Sequence, residues 1–438
     1  MTSRSRWPIV LPALLALHLL ASSPTTGQAE PPAPAPPDAS PTPVTLLPAP
    51  PGDTSRVPGP MPKPGKITVF TAKKIVTMDP ANPTATAIAF SNGRILSVGS
   101  LDDLKPWLDR YPHEIDRRFE GDVLYPGFVE AHGHPILGGI FQTRPPLTNL
   151  PLPNPWGPAF PGVKDVAAAK AKLSEYVAAV KEPGKPLLAW GWDVAAMGMM
   201  PDRKFLDAVS TERPIFVWDS SGHNIFTNSA ALSQYDVTPE STKGVEGVGF
   251  WPDGMASGQF LGAEATDFVV HRAGKDLLAA DQLPRAILYS NDIGQQNGIT
   301  TTSDMAFGAL DVFVETGVIQ RMAEAKATSQ RYVVVAYWPA FRTKYGAEAM
   351  ARAADLQRLE SERLFFRGIK FMSDDTFLAD TMNVVDPGYT DGHEGQSFHA
   401  SATAFAEEMK PWWDAGWHIH VHSNGSGGND HTLGALRI

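Results

Sequence analysis

From residue 123 onward, short apolar, β-rich runs alternate with longer stretches of helical periodicity. That alternation constrains the fold of this chain more than any other feature. The apolar runs are residues 123–129, 298–303, 332–338, 368–372 and 417–422, and helical patterns cover 166–180, 347–362 and 404–413. Strands separated by helices pair in parallel, because each crossover helix returns the chain to the same end of the sheet. The expected fold is therefore α/β, as a (β/α)8-type barrel or a doubly wound sheet. Residues 138–290 interrupt the alternation with many Gly and Pro and two further apolar runs, 187–189 and 214–217, and read as an inserted subdomain.

Upstream, residues 65–122 hold four short apolar runs, at 67–70, 75–78, 87–90 and 94–98. Ser91-Asn92-Gly93 between the last two is a hairpin signal, since Asn and Gly accept the positive φ angles of a tight turn. This segment is expected to be a small β-unit. Residues 30–64 are rich in Pro, Ala, Ser and Thr and favour extended polyproline II over a packed core. They read as a linker. Residues 1–29 have the build of a signal peptide: Arg4 and Arg6, an apolar run over 9–21 broken by Pro12 and His18, then Gly27-Gln28-Ala29 as a small-x-small cleavage site. The alternative is a membrane anchor, but the run is shorter than the ~20 residues a spanning helix needs. A secreted or periplasmic location follows, with no stable membrane anchor. The 438 residues contain no cysteine, so disulfides and thiol nucleophiles are excluded. A net charge of -10 without basic clusters argues against nucleic acid as a partner.

Three groups of residues could carry chemistry. Tyr125-Pro126-Gly127-Phe128-Val129-Glu130-Ala131-His132-Gly133-His134 is an apolar strand ending in His-x-His. Residues two apart in extended backbone face the same way, so both imidazoles could reach one metal ion. Two surface loop histidines are the alternative. His418, His420 and His422 share a face of the run 417–422, with His422 nearest its carboxyl end and the best ligand candidate. His420 and His418 suit supporting or buried, hydrogen-bonded roles. Lys370 lies inside the apolar run 368–372, where a lysine is costly unless paired or modified. An edge-strand lysine pointing to solvent is the alternative.

These motifs resemble the amidohydrolase superfamily. Within it the chain is most similar to the group of N-substituted formamide deformylases and YtcJ-like proteins (amidohydrolase 3 type). The resemblance runs from Ile67 to the end, through Met78-Asp79-Pro80, Gly93-Arg94-Ile95, Pro126-Gly127-Phe128 with His132-x-His134, Gly191-Trp192-Asp193, Gly222-His223, Asn228-Ser229-Ala230-Ala231-Leu232, Gly298-Ile299-Thr300 and Asp304. It implies a metal-dependent barrel over 123–438, with a β-sandwich portion over 65–122. His132, His134 and His422 would be metal ligands. Lys370 would be a ligand and catalytic group, in the place where the superfamily often uses a carboxylated lysine between two metals. His223 would be catalytic or contact substrate, or else hold its loop. Trp192 and Asp193 would touch substrate. The cofactor would be one or two divalent ions, usually zinc, and the substrate a small amide-type molecule.

The chain departs from the family pattern in three places. Ser426 follows Gly425 where the family has aspartate, and Asp375 replaces a glycine after Asp374. The family also carries a sixth-strand histidine and an eighth-strand aspartate. Only residues 429–438 follow the fifth strand and its loop, so the expected barrel is incomplete at its C-terminus. Its open sheet edge would favour partner pairing, homo-oligomers included. Two functions then compete: hydrolysis of non-peptide C–N bonds by metal-activated water, or a truncated, inactive remnant. A glycosidase using Asp374 and Asp375 ranks far below, because adjacent strand residues point to opposite faces.

Overall fold

The computed structural model of the chain describes residues 64–277, 282–377 and 380–438. The expected signal peptide (1–29) and all but the last residue of the expected linker (30–64) lie outside the described residues.

Strands β1 (Ile67–Val76), β2 (Thr84–Ser91), β3 (Arg94–Gly99) and β4 (His113–Leu124) form a sheet in the order β3-β2-β1-β4. The β2–β3 connection is the anticipated hairpin. Asn92 and Gly93 have φ of 52° and 73°, the left-handed pair that matches the twist of the flanking strands. The runs at 67–70 and 75–78 belong to one strand rather than two. A register shift between Thr71 and Ile75 breaks its alternation, which is why it reads as two. Where a sandwich portion is expected, the described residues show one sheet. Its buried residues Ile67, Val69, Ala87 and Ala89 pack against Leu104. Leu104 lies on the helix Leu101–Leu108, which Ser100 and Asp103 cap reciprocally.

The insertion holds a second sheet: β6 (Leu187–Trp192), β7 (Ile215–Asp219), β8 (Asn224–Thr227), β9 (Val248–Phe250) and β10 (Ala256–Leu261), in the order β6-β7-β8-β10-β9. Both faces are buried. Ile215 and Val217 enter one core while Phe216 and Trp218 enter another. That is why these strands read as unbroken apolar runs and not as alternating ones.

The third sheet consists of β5 (Phe128–Glu130), β11 (Ile299–Phe307), β12 (Arg331–Tyr337), β13 (Leu364–Met372) and β14 (Ile419–His422). All its pairings are parallel and its order follows the chain, β5-β11-β12-β13-β14. It is a curled half-barrel. A doubly wound sheet would reverse its strand order partway. The run at 123–129 is split between two sheets, β4 ending at Leu124 and β5 starting at Phe128. Pro126 has no N–H for a ladder, and Gly127 lies so close to Thr300 that no Cβ would fit. Beneath the sheet, Ile136 and Ile140 of the helix Pro135–Gln142 pack with Leu283, Ala286 and Ile287 of the helix Leu283–Gln296. The limits 138 and 290 drawn from sequence therefore fall inside two helices that serve the half-barrel core. Among the described residues no helix is long and apolar enough to cross a membrane.

Candidate active site

His132 and His134 lie just beyond β5, after the extended backbone has ended at Glu130. Strand alternation therefore does not align them. Other contacts do. Glu130 Oε1 accepts from the His132 N–H at 3.2 Å, and the Gly133 carbonyl accepts from Met305 N at 2.9 Å, tying the segment to β11. His134 is the N-cap residue of the helix Pro135–Gln142. Asp304, buried on β11, accepts from Ile136 N at 3.4 Å and Ala306 N at 3.0 Å, which fixes the same corner. The two rings sit perpendicular, with centroids 5.6 Å apart.

Lys370 is on β13 and 3% exposed. Among the described residues it has no acidic partner, and burial pushes its amine down to about 8. In the sheet register its neighbour is His420, whereas His422 stands beside Met372. His422 nevertheless reaches the cavity, while His420 packs over Gly368, where any Cβ would crowd its ring. Nε2 of His422 meets the Asp375 carbonyl at 3.3 Å and Asn424 Nδ2 at 3.0 Å. A proton on Nε2, donated to the Asp375 carbonyl, is the tautomer that leaves the Nδ1 lone pair for an ion.

His223 comes from the inserted sheet, on the tight turn between β7 and β8. Buried Asp219 accepts from Ser221 Oγ at 2.8 Å and from the Asn224 side-chain amide at 2.9 Å. Ser221 Oγ accepts from His223 N at 3.0 Å, and Thr266 Oγ1 donates to the His223 carbonyl at 2.6 Å. The turn is thus held from every side. His223 Nδ1 lies 2.5 Å from Asp375 Oδ1. Burial opposes charge on this imidazole, but the Asp375 contact and the charges of Asp375 and Asp219 outweigh it and raise its pKa.

His134, His223, Lys370 and His422 line one cavity of about 1070 Å³ that also exposes Phe141, Trp190 and Trp218. A smaller depression of about 370 Å³ lies around residues 383–395. Its one histidine, His393, has both ring nitrogens engaged, by Asp391 and by the Asp380 carbonyl. The site therefore belongs to the larger cavity.

Two expectations need correction. Trp192 is fully buried in the core of the inserted sheet and donates Nε1 to the Met199 carbonyl at 2.9 Å. Asp193 accepts from Ala196 N at 2.9 Å and caps the helix Val194–Met197. Neither lines the cavity. Trp192→Ala is expected to cost about 3–5 kcal/mol of stability and Asp193→Ala about 1 kcal/mol in urea unfolding. A loss of substrate affinity at unchanged stability would contradict this placement.

The donor set suits a divalent cation. Burial, followed by the neighbouring His132, Lys370, His422 and His223, pushes His134 down to about 4. Burial and Lys370 lower His132, against Glu130. Burial and Lys370 also lower His422. The three imidazoles are nitrogen ligands in their neutral, binding form, whereas the Lys370 amine becomes one only as it gives up its proton around its lowered value of about 8. Among the described residues no three His, Asp or Glu side chains stand close enough to hold one ion as placed, so the shell is open. At the histidines, protons should compete with metal only in acid. In dialysis at stepped pH, metal release is expected midway between the ordinary histidine value of 6.5 and the His134 value of about 4. Metal-free protein should lose stability over the same window, because the unfolded chain takes up protons that folded His134 refuses. Metal release at or above pH 6.5 would contradict the first expectation, and metal-free stability that stays flat between pH 6.5 and 4 would contradict the second.

The amidohydrolase family profile matches residues 119–438. The chain belongs to the amidohydrolase family. The exoenzymes regulatory protein AepA of Pectobacterium carotovorum subsp. carotovorum is 24% identical to this amidohydrolase over 377 residues, covering 84% of this chain and 76% of that protein. The N-substituted formamide deformylase of Arthrobacter pascens is 26% identical over 175 residues, 37% of this chain and 29% of that one. An uncharacterized metal-dependent hydrolase from Pyrococcus horikoshii OT3 shares the fold, with a TM-score of 0.59 at 15% identity, covering 85% of this amidohydrolase and 68% of that chain. What sequence reasoning missed in the site is the link from Asp375 to His223, since Asp375 was noted only as the replacement of a glycine and as half of a poorly placed carboxylate pair. Its partner His223 arrives from the inserted sheet, and no local pattern links them.

Proposed function

We propose that this amidohydrolase cleaves non-peptide C–N bonds, of amide or N-formyl type, in small molecules at a divalent-metal centre held by His132, His134, Lys370 and His422. One observation carries the reading. Three of these residues, His134, Lys370 and His422, line the cavity from the carboxyl ends of parallel strands, where α/β barrels place their chemistry, and the fourth, His132, stands against His134. Zinc suits a nitrogen-rich set. A bound ion supplies an activated water and polarises the carbonyl. The rest is the chain's own work. Lys370, buried and lowered to about 8, keeps a share of neutral amine, the form able to add carbon dioxide and become an anionic ligand. Phe141, Trp190 and Trp218 give the substrate's apolar part a dry wall. His223 offers its ring to the reacting group. Residues 1–29 support export of the working protein.

The open ligand shell favours a second reading, a metal-binding protein without turnover. One experiment separates the two. The purified full chain is supplied with zinc and assayed on a panel of amides and N-formyl compounds, with and without chelator. The proposal expects turnover that chelator abolishes and zinc restores. Metal binding with no turnover on the panel supports the second reading, and chelator-resistant turnover contradicts both.

A further inference from the structure

We propose that Asp375 is the positioning residue of His223. Its buried carboxylate holds Nδ1 of the ring, so that Nε2 is the nitrogen presented to the cavity.

The geometry makes the contact specific. Asp375 is fully buried, and its Oδ1 lies 2.5 Å from Nδ1 of His223. Apart from that contact, neither carboxylate oxygen has a hydrogen-bond partner among the described residues. A buried carboxylate is costly unless something compensates it, and His223 is what this one has. The adjacent acid shows the contrast. Asp374 is equally buried, but its oxygens accept from the backbone N–H groups of Asn383, Asn424 and Gly425. The two neighbours have different tasks: Asp374 fixes loops, and Asp375 addresses a ring.

The other half of the pair is fixed as well. The turn carrying His223 is held through Asp219, Ser221 and Thr266, so the ring has little freedom except about its own bonds. Gly262 packs against this spot, and a Cβ there would stand 3.5 Å from Asp375 Oδ2. The Asp375 carbonyl meets Nε2 of His422. One residue therefore sets two cavity imidazoles, from two sheets, with ring centroids 6.4 Å apart and planes 29° apart. A carboxylate on one ring nitrogen decides which tautomer the other nitrogen offers. The purpose of the contact rests on the proposed hydrolysis, whereas its geometry does not.

The test reads the tautomer directly. Full-length protein labelled with 15N-histidine is examined by long-range 1H–15N correlation at a pH where the ring is neutral, and the His223 signals are assigned by their loss in His223→Gln. The wild type is expected to carry its proton on Nδ1. Asp375→Asn and Asp375→Gly are expected to move it to Nε2. A proton on Nε2 in the wild type, or spectra unchanged in both variants, overturns the proposal, and the wild-type spectrum decides alone if neither variant folds. On an amide that the wild type turns over, Asp375→Asn should lower kcat by about 10- to 100-fold with KM little changed, and Asp375→Glu should recover part of it. An unchanged kcat overturns the positioning role. If the wild type turns over none of the panel, the proposed function fails while the tautomer result still stands or falls independently.

Discussion

Lys370→Met is expected to make the metal-free protein more stable and to abolish its hydrolytic activity. The lysine is 3% exposed, has no acidic partner among the described residues, and its amine is pushed from 10.5 to about 8 by burial. That shift corresponds to about 3 kcal/mol against the charged form. Methionine fills a similar volume without charge, so a gain of about 1–3 kcal/mol is expected near neutrality. The sign sets a pH signature. The penalty on Lys370 is complete below pH 8 and fades as the pH rises from there toward 10.5, so the advantage of methionine should fade with it. Under the proposed function Lys370 would hold the metal directly, so turnover should fall by at least about 100-fold, since losing even a residue that only orients a metal-binding side chain costs about 10- to 100-fold. Urea unfolding at pH 7 and pH 10, beside kinetics of the zinc-loaded protein, checks both halves. A destabilised, fully active variant would show Lys370 to be a packing residue.

Asp374→Ala should be among the most damaging substitutions in the chain. The carboxylate accepts from Gly425 N at 2.7 Å, Asn424 N at 2.8 Å and Asn383 N at 3.1 Å. These donors belong to two separate loops. Gly425 also caps the helix Ser426–Ala435, so the acid sits where a helix N-terminus favours negative charge. Alanine strands buried N–H groups at about 1–3 kcal/mol each. A net loss of about 3–5 kcal/mol is expected, together with misplacement of His422, two residues before Asn424. Asp374→Asn keeps one acceptor oxygen and should fall between. Unfolding curves within about 0.5 kcal/mol of wild type would refute the assignment.

What sequence showed and what it hid follow from where the physics is local. The strands β12 and β13 were legible because parallel strands buried on both faces are near-continuous apolar runs, β11 because its threonines are β-branched, β14 because it alternates apolar residues with histidine, and the β2–β3 turn because only special residues accept its φ angles. The split of residues 123–129 was hidden because the apolar pattern continues across Pro126-Gly127 while the chain changes sheets. Strands β8 to β10 were missed because they are short, and one includes Gly258 at φ 85°, which breaks any propensity pattern. In the site, His132, His134, Lys370 and His422 stood out because each is a polar residue in or beside an apolar strand. Trp192 and Asp193 misled, since a buried tryptophan and a helix cap look like site residues in sequence. The Asp375–His223 contact depends on tertiary packing alone.

The central claim is a metal centre built on the histidines after β5. Its most direct measurement is metal content per chain by mass spectrometry, on folded wild type and on His132→Ala and His134→Ala, each zinc-loaded and then dialysed. The account predicts about one or two divalent ions per wild-type chain and loss of metal in both variants, with circular dichroism unchanged. Folded wild type that holds no metal, or variants that hold as much as wild type, would contradict it.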